Sequence, residues 1–313
     1  MTVKHPQEGG GRVAIVTGAG AGLGRAYALH LARSGLRVLV NNRRREVDAA
    51  GRGSADRVVA EIHAAGGEAV ADYEDVCAPG AGERMVARAL EQWGRLDALV
   101  NNAGVDQHAP FHRIGLDEFR AIFETNFFGT LQVTHAAWGP MRAAGHGRIL
   151  VSTSSAGLHG LHGLSAYAAS KAALIGLARS LAAEGAPRDI YCNAIAPYAA
   201  TRMTEAHLAE LPREAMSPEL VAPLVGALVD SRSRVNGEVI VVGLGWARRA
   251  ATVELAPVFP AAVYALQKEC VPGIAAPLVV PGICREFADA LQAFGDFHQV
   301  AGERGLAGKP VAG

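Results

Sequence analysis

Short apolar runs alternate with stretches of helical periodicity along most of the chain. Val13–Thr17, Arg37–Val40, Glu68–Ala71, Leu96–Val100, Arg148–Ser152, Asp189–Ile195 and Glu238–Val242 each read as a buried strand. Between them, apolar residues at helical spacing predict helices from the glycine-rich turn at Gly18–Gly24 to Ser34-Gly35, and over Ser54–Ala65 with Ser54 as cap. Further helices are predicted over Ala81–Trp93, from Leu116 to about Ala144, around Tyr167, and over Pro218–Val229. Strands that alternate with helices predict an α/β chain: a parallel sheet of about seven strands, right-handed crossovers and helices on both faces. Residues 1–11 read as a flexible lead-in, 12–246 as one domain, and 247–313 as an extension packed on that domain or on a partner subunit. The extension carries Pro257, Pro260, Pro272, Pro277 and Pro281 and a helical stretch near Cys284–Phe294.

In such sheets ligands bind beyond the carboxyl ends of the strands. Five clusters fall there: Gly18–Gly24, Asn42–Arg45, Asp75, Asn101–Gly104 and Ser154. A strand, glycine turn and helix in succession aim free backbone N–H groups and a positive helix end at a pyrophosphate. Glycine permits positive φ and close approach to the backbone. Tyr167 and Lys171, four residues apart, project from one helix face. An ammonium beside a phenol favours phenolate, moving a group with an ordinary pKa of about 10 toward neutrality. Ser154, thirteen residues before the tyrosine, follows a strand and could hold a substrate oxygen against it.

Composition narrows the field. Thirty basic residues balance thirty acidic ones, so no net field favours nucleic acid or an anionic membrane. No window reaches the roughly 18 apolar residues of a membrane span; Ile274–Ile283 comes nearest and is broken by prolines. Cys77, Cys192, Cys270 and Cys284 are scattered, which reads as reduced thiols in a cytoplasmic protein with no metal site. His159 and His162 read as loop residues, with substrate contact the alternative; no third metal ligand is evident.

Taken together, Thr17-Gly18-x-x-x-Gly22-x-Gly24, Asn101-Asn102-Ala103-Gly104, Ser154, Tyr167-x-x-x-Lys171 and Pro197-x-x-x-Thr201 resemble the short-chain dehydrogenase/reductase family. The resemblance covers about residues 12–245 and implies a Rossmann-like domain, an NAD(P)-dependent oxidoreductase and a homodimer or homotetramer. By matching motif, Tyr167 is the expected general acid/base, Lys171 lowers its pKa and binds the nicotinamide ribose, and Ser154 holds the reacting oxygen. Asn126 matches the family's helix asparagine on the proton path to Lys171; the alternative is an asparagine satisfied within a buried helix. For the cofactor, the resemblance implies Gly18, Gly22, Leu23 and Gly24 at the pyrophosphate. It puts Asp75, Val76, Asn102, Ala103 and Gly104 on the adenosine side, Thr201 of the Pro197-x-x-x-Thr201 motif at the carboxamide or the pyrophosphate, and the segment Thr201–Met216, with His207, in a substrate flap.

TGAGAGLGRAYAL, CNAIAP, SPELVAPLV and the GLGW ending are further similar to the dehydrogenase domains of the type 2 peroxisomal multifunctional enzymes. That likeness implies oxidation of (3R)-hydroxyacyl-CoA to 3-ketoacyl-CoA, with a separate hydratase supplying substrate. Arg113 and Arg202 are candidates for CoA contacts. Other expectations are a hydroxysteroid dehydrogenase, a 3-oxoacyl carrier-protein reductase or, in another class, a lapsed enzyme kept as a dinucleotide-binding regulator. Those multifunctional enzymes carry an acidic residue at the Asn42 position. Here Asn42 followed by Arg43–Arg45 tilts the expectation from NAD toward NADP, a solvated arginine loop being the alternative.

Overall fold

The protein is described here as a computed structural model over residues 11–43, 47–201, 204 and 216–251. Arg44, Arg45, Arg202, His207 and the helical stretch near Cys284–Phe294 lie outside the described residues.

Eight strands form one sheet in the order β3-β2-β1-β4-β5-β6-β7-β8. They are β1 (Val13–Val16), β2 (Arg37–Asn41), β3 (Ala69–Asp72), β4 (Ala98–Asn101), β5 (Gly147–Ser152), β6 (Ile190–Pro197), β7 (Val239–Gly243) and β8 (Trp246–Ala250). The first seven are parallel, in the Rossmann-like arrangement the sequence predicts; β8 turns back antiparallel on β7, pairing Gly243 with Trp246. The sheet therefore runs past Trp246, where a terminal extension was expected to begin. The turn at Leu244-Gly245 takes two positive-φ residues, at 54° and 76°, in the manner of a tight hairpin. The strand was hidden because it carries two successive arginines, Arg248 half-buried and Arg249 exposed at the sheet edge.

Alternate residues of each inner strand feed opposite faces, which is why these strands read as unbroken apolar runs. Ala14, Val16, Val38 and Val40 pack with α1 (Gly22–Arg33), α2 (Ser54–Ala64) and, further along the sheet, α8 (Ala222–Val229). Val13, Ile15 and Leu39 pack on the other face with α3 (Ala81–Trp93), α5 (Gly129–Ala144) and α7 (Ser165–Gly185). Burying each of these valine, leucine and isoleucine side chains contributes about 1.5–3 kcal/mol. Two shorter helices, α4 (Leu116–Phe123) and α6 (Ser155–His159), complete the described elements apart from 3-10 turns and a π-helical segment.

The predicted helix from Leu116 to Ala144 is interrupted by that π-helical segment, Glu124–Phe128. Ser54 does not cap α2; Gly53 does, and its amide is held by the Asp56 carboxylate at 2.7 Å. The chain moves outward from β1 to β3, then restarts at β4 on the other side of β1, so the switch point lies between the ends of β1 and β4.

Candidate active site

The switch point opens into a cleft of about 900 Å³. Thr17, at the end of β1, closes its floor: its hydroxyl accepts from the amides of Asn102 (3.0 Å) and Ala103 (3.1 Å). Asn102 reciprocates through its side-chain amide, which donates to the carbonyls of Thr17 and Gly18 at 3.3 and 3.2 Å. Gly18 holds φ at +63°, and a Cβ there would stand 2.8 Å from the Ala103 Cα, so only glycine lets the two loops meet. Gly18, Gly22 and Leu23, with the N-terminus of α1 behind them, line the cleft; Gly24 packs beneath, against Gly18. Thr201 leans over this turn, Pro197 lines the cleft at the end of β6, and the Thr201 amide donates to the Thr204 hydroxyl at 2.9 Å.

Ser154, Tyr167 and Lys171 converge at the other end of the cleft. Ser154 is the N-cap of α6, its hydroxyl accepting from the Ala156 amide at 3.2 Å, and it shares a hydrogen bond with the Tyr167 hydroxyl. Lys171 is 4 % exposed; its Nζ donates to the Ser152 carbonyl at 2.7 Å and lies 5.7 Å from the centroid of the Tyr167 ring. Burial draws the Lys171 ammonium down to about 8.

The acid–base state of Tyr167 departs from expectation. The tyrosine keeps an open edge on the cleft, yet burial pushes its pKa up to about 12. The hydrogen bond from Ser154 opposes this rise and the Asp106 carboxylate adds to it. The chain's own groups thus leave the phenol protonated. Desolvation of the phenolate is the largest influence, while the Lys171 ammonium donates its hydrogen bond to the Ser152 carbonyl.

Asn126 sits inside the π-helical segment, fully buried. Its Oδ1 accepts from the Val105 amide at 2.8 Å, and its Nδ2 donates to the Val105 carbonyl at 2.9 Å and to the Ser170 hydroxyl at 3.0 Å. Ser170 in turn donates to the Tyr167 carbonyl at 2.7 Å. Asn126 is thus satisfied within its buried helix, and it ties the loop after β4 to the helix of Tyr167. Gly104 leaves the adjoining space open, since a Cβ there would stand 3.2 Å from Asn126 Oδ1 and 3.3 Å from Lys171 Nζ.

At the opposite end, Asn42 and Arg43 line the cleft beyond β2. Asn42 donates to the Ser54 hydroxyl at 2.7 Å, and Arg43 pairs with Asp75 at 3.1 Å. Asp75 is engaged elsewhere than expected: its carboxylate also accepts from the Cys77 amide at 3.0 Å, and it is not among the residues lining the cleft, whereas Val76 is. Burial would raise the Asp75 pKa, but the Cys77 amide and Arg43 prevail and hold it below the usual carboxylate range.

Ser54 and Arg57, which sequence reasoning passed over, also line this end. A serine at the start of a helix and a surface arginine carry no signal until the sheet sets α2 beside β2. Val105, Asp106 and His108 line the cleft as well, on the loop that the Asn126 clasp and a hydrogen bond from the Ala109 amide to the Gly163 carbonyl (2.8 Å) secure. His162 faces the cleft and His159 does not; Arg113 is exposed outside it. Among the described residues no group of three His, Cys, Asp or Glu side chains could hold a metal ion, and no helix is long and apolar enough to cross a membrane.

The cleft suits a dinucleotide: a backbone cradle at its middle, basic and amide side chains at one end, proton-transfer groups at the other. The sequence profile of the short chain dehydrogenase family matches residues 12–211. Mouse peroxisomal multifunctional enzyme type 2 is 46% identical over 238 residues, covering 75% of this chain and 32% of that protein. The chain thus spans about a third of that relative's length. A short-chain type dehydrogenase/reductase of Mycobacterium tuberculosis is 42% identical over 242 residues, covering 77% of this chain and 85% of its own. The crystal structure of a short chain dehydrogenase from Mycobacterium avium superposes with a TM-score of 0.73 at 34% identity, covering 89% of this chain and 99% of that one. The chain belongs to the short-chain dehydrogenase/reductase family of NAD(P)-dependent oxidoreductases.

Proposed function

We propose that the protein oxidises the secondary alcohol of a (3R)-hydroxyacyl-CoA to the 3-ketoacyl-CoA, or runs the reverse reduction. The observation that carries the alcohol–ketone chemistry is the meeting of Ser154, Tyr167 and Lys171 in one cleft with the glycine turn. The acyl-CoA assignment leans on the likeness to the multifunctional enzyme. The dinucleotide, when bound, supplies the hydride acceptor or donor. Ser154 holds the substrate oxygen by hydrogen bonding, and Tyr167 takes or returns its proton. Lys171 steadies the developing phenolate and binds the nicotinamide ribose. Asn126 keeps the loop of Val105 and the helix of Tyr167 in register. The backbone of Gly18–Gly24 receives the pyrophosphate, Val76 and Asn102–Gly104 the adenosine, and Pro197 and Thr201 the nicotinamide side.

NADP is the preferred cofactor in this reading. Asn42 carries no charge to repel a 2′-phosphate, and Arg43, Ser54 and Arg57 share its end of the cleft. A homo-oligomer is supported by exposed apolar side chains on and beside α4 and α5, with Phe111 75% and Leu116 73% exposed. A reducing compartment such as the cytoplasm accords with the free thiols Cys77 and Cys192. In this reading a separate hydratase would supply the hydroxyacyl substrate.

A spectrophotometric screen of (3R)-hydroxyacyl-CoA esters, hydroxysteroids and acyl-carrier thioesters with both cofactors tests the reading. Preference for the CoA esters with NADP is expected. Preference for hydroxysteroids or carrier-protein esters would move the assignment to those substrates, and dinucleotide binding without any turnover would favour the regulator.

A further inference from the structure

An apolar wall stands at the end of β6, where the cleft holds its proton-transfer groups. Tyr198, the first residue beyond that strand, is 4% exposed and lines the cleft. It belongs to a small cluster with Ala196, Met216 and Val241. Strand geometry explains the grouping. Tyr198 lies two residues past Ala196 and so falls on the same sheet face, and Ala196 is the register partner of Val241 on β7. The Tyr198 amide donates to the Val242 carbonyl at 2.7 Å, and the Ala200 amide to the Met216 carbonyl at 2.6 Å. The backbone that carries the ring is thus tied down on both sides.

A second cavity, of about 530 Å³, lies behind this wall. The same cluster serves both spaces. Tyr198 lines the cleft, as does Leu161, which packs against the cluster. Val241 lines the cavity, as do Leu158 and Ala250, which also pack against the cluster. Ile175 adds to the apolar lining of the cavity, beside Arg179, Arg248 and Arg249. Arg248 is close enough to the Tyr198 phenol for their charges to interact, so the ring adjoins the cavity as well as the cleft.

We propose that Tyr198 is a specificity-determining residue, whose ring stops the acyl chain at the partition and keeps the space behind it from the substrate. The inference rests on the acyl substrate proposed above. A smaller side chain at 198 opens the cleft into a space whose walls at the junction are apolar. A longer chain then gains the burial of further methylenes, roughly two of which suffice for a tenfold gain in affinity.

The test is chain-length preference, measured in two ways on the full chain. Calorimetry with NADP bound gives Kd for saturated acyl-CoA esters from butyryl to hexadecanoyl, which lack the 3-hydroxyl and do not react. Kinetics give kcat/KM for the (3R)-hydroxy esters of the same lengths. Wild type is expected to prefer the short esters in both. Tyr198→Val is expected to raise the long-to-short ratio at least about tenfold in both. Tyr198→Phe should keep the wild-type ratio, because the ring rather than its hydroxyl makes the wall. Leu161→Ala thins the same wall and should move the ratio in the same direction, which keeps the test sound if the valine variant misfolds. A shifted binding ratio without turnover of any ester would retire the proposed reaction and uphold the wall. A ratio unchanged in either folded variant, or a wild type that takes long esters as well as short, would overturn the proposal.

Discussion

The Lys171 ammonium lies 5.7 Å from the centroid of the Tyr167 ring, yet its hydrogen bond goes to the Ser152 carbonyl, 2.7 Å away. The pair are neighbours on one helix face without touching through their polar atoms. A buried cation is therefore anchored beside the phenol, in position to favour charge on it once substrate and dinucleotide change the surroundings.

Lys171 should leave its mark on stability as a function of pH. Its folded pKa is about 8 against an ordinary 10.5. Below pH 8 both states hold the proton and the folded state bears the full cost of burial. Between the two values the unfolded chain keeps a proton that the folded chain has lost, so stability rises with pH in that window. Urea unfolding of the cofactor-free enzyme and Lys171→Met from pH 7 to 10.5 should show wild type gaining on the variant as pH rises. A flat or falling difference would contradict the depressed pKa.

Cofactor preference should turn on the Asn42 end. Asn42→Asp puts a negative charge where the 2′-phosphate is expected and should raise the KM for NADP at least about tenfold, the equivalent of 1.4 kcal/mol. Arg57→Ala should raise it by a similar factor, about tenfold, through loss of a charge-assisted contact. KM for NAD should change little in either variant. Equal effects on both cofactors would remove these residues from the specificity argument.

Asn126 invites a stability measurement alongside kinetics. Asn126→Ala strands the amide and carbonyl of Val105 and takes one of its two partners from the Ser170 hydroxyl. Two or three such groups at about 1–3 kcal/mol each, softened by relaxation, predict a loss of roughly 3 kcal/mol in urea unfolding. A loss under about 0.5 kcal/mol, within the ordinary range of surface changes, would mean the clasp is redundant.

Arg148 is a structural anchor outside the cleft. Fully buried, it donates to the carbonyls of Gly147, Asp189, Ser231 and Ser233, pairs with the Asp189 carboxylate at 3.3 Å and stacks 4.3 Å from the Tyr191 ring centroid. Removing one partner of a buried pair costs about 3–5 kcal/mol. Asp189 is partly exposed and can rehydrate, so Arg148→Met should fall near the low end, roughly 3 kcal/mol, by thermal or urea unfolding. A neutral effect would show that the methionine packs as well as the ion pair.

Much of this was legible in the sequence, and the remainder was hidden for identifiable reasons. Strands buried on both faces leave continuous apolar runs, so β1 to β7 stand out; β8 carries two arginines at an open edge and does not. Gly18, Ser154, Tyr167 and Lys171 were found because each follows a strand or shares a helix face. Ser54 and Arg57 depend on how α2 lies against β2, a tertiary fact with no local periodicity. Asn126, inside the π-helical segment, reaches back to the Val105 backbone, a contact across 21 residues that helical spacing cannot anticipate. The acidity of Tyr167 was misjudged because spacing gives a neighbour's charge but neither its orientation nor the depth of burial.

The most direct test of the proton-transfer account is the kcat/KM of Tyr167→Phe on the best substrate of the screen, measured with cofactor affinity. Loss of a positioned acid/base predicts a fall of about 10²–10⁴ with dinucleotide Kd within about threefold of wild type. Turnover by the phenylalanine variant at the parent rate would contradict the assignment of the proton to Tyr167.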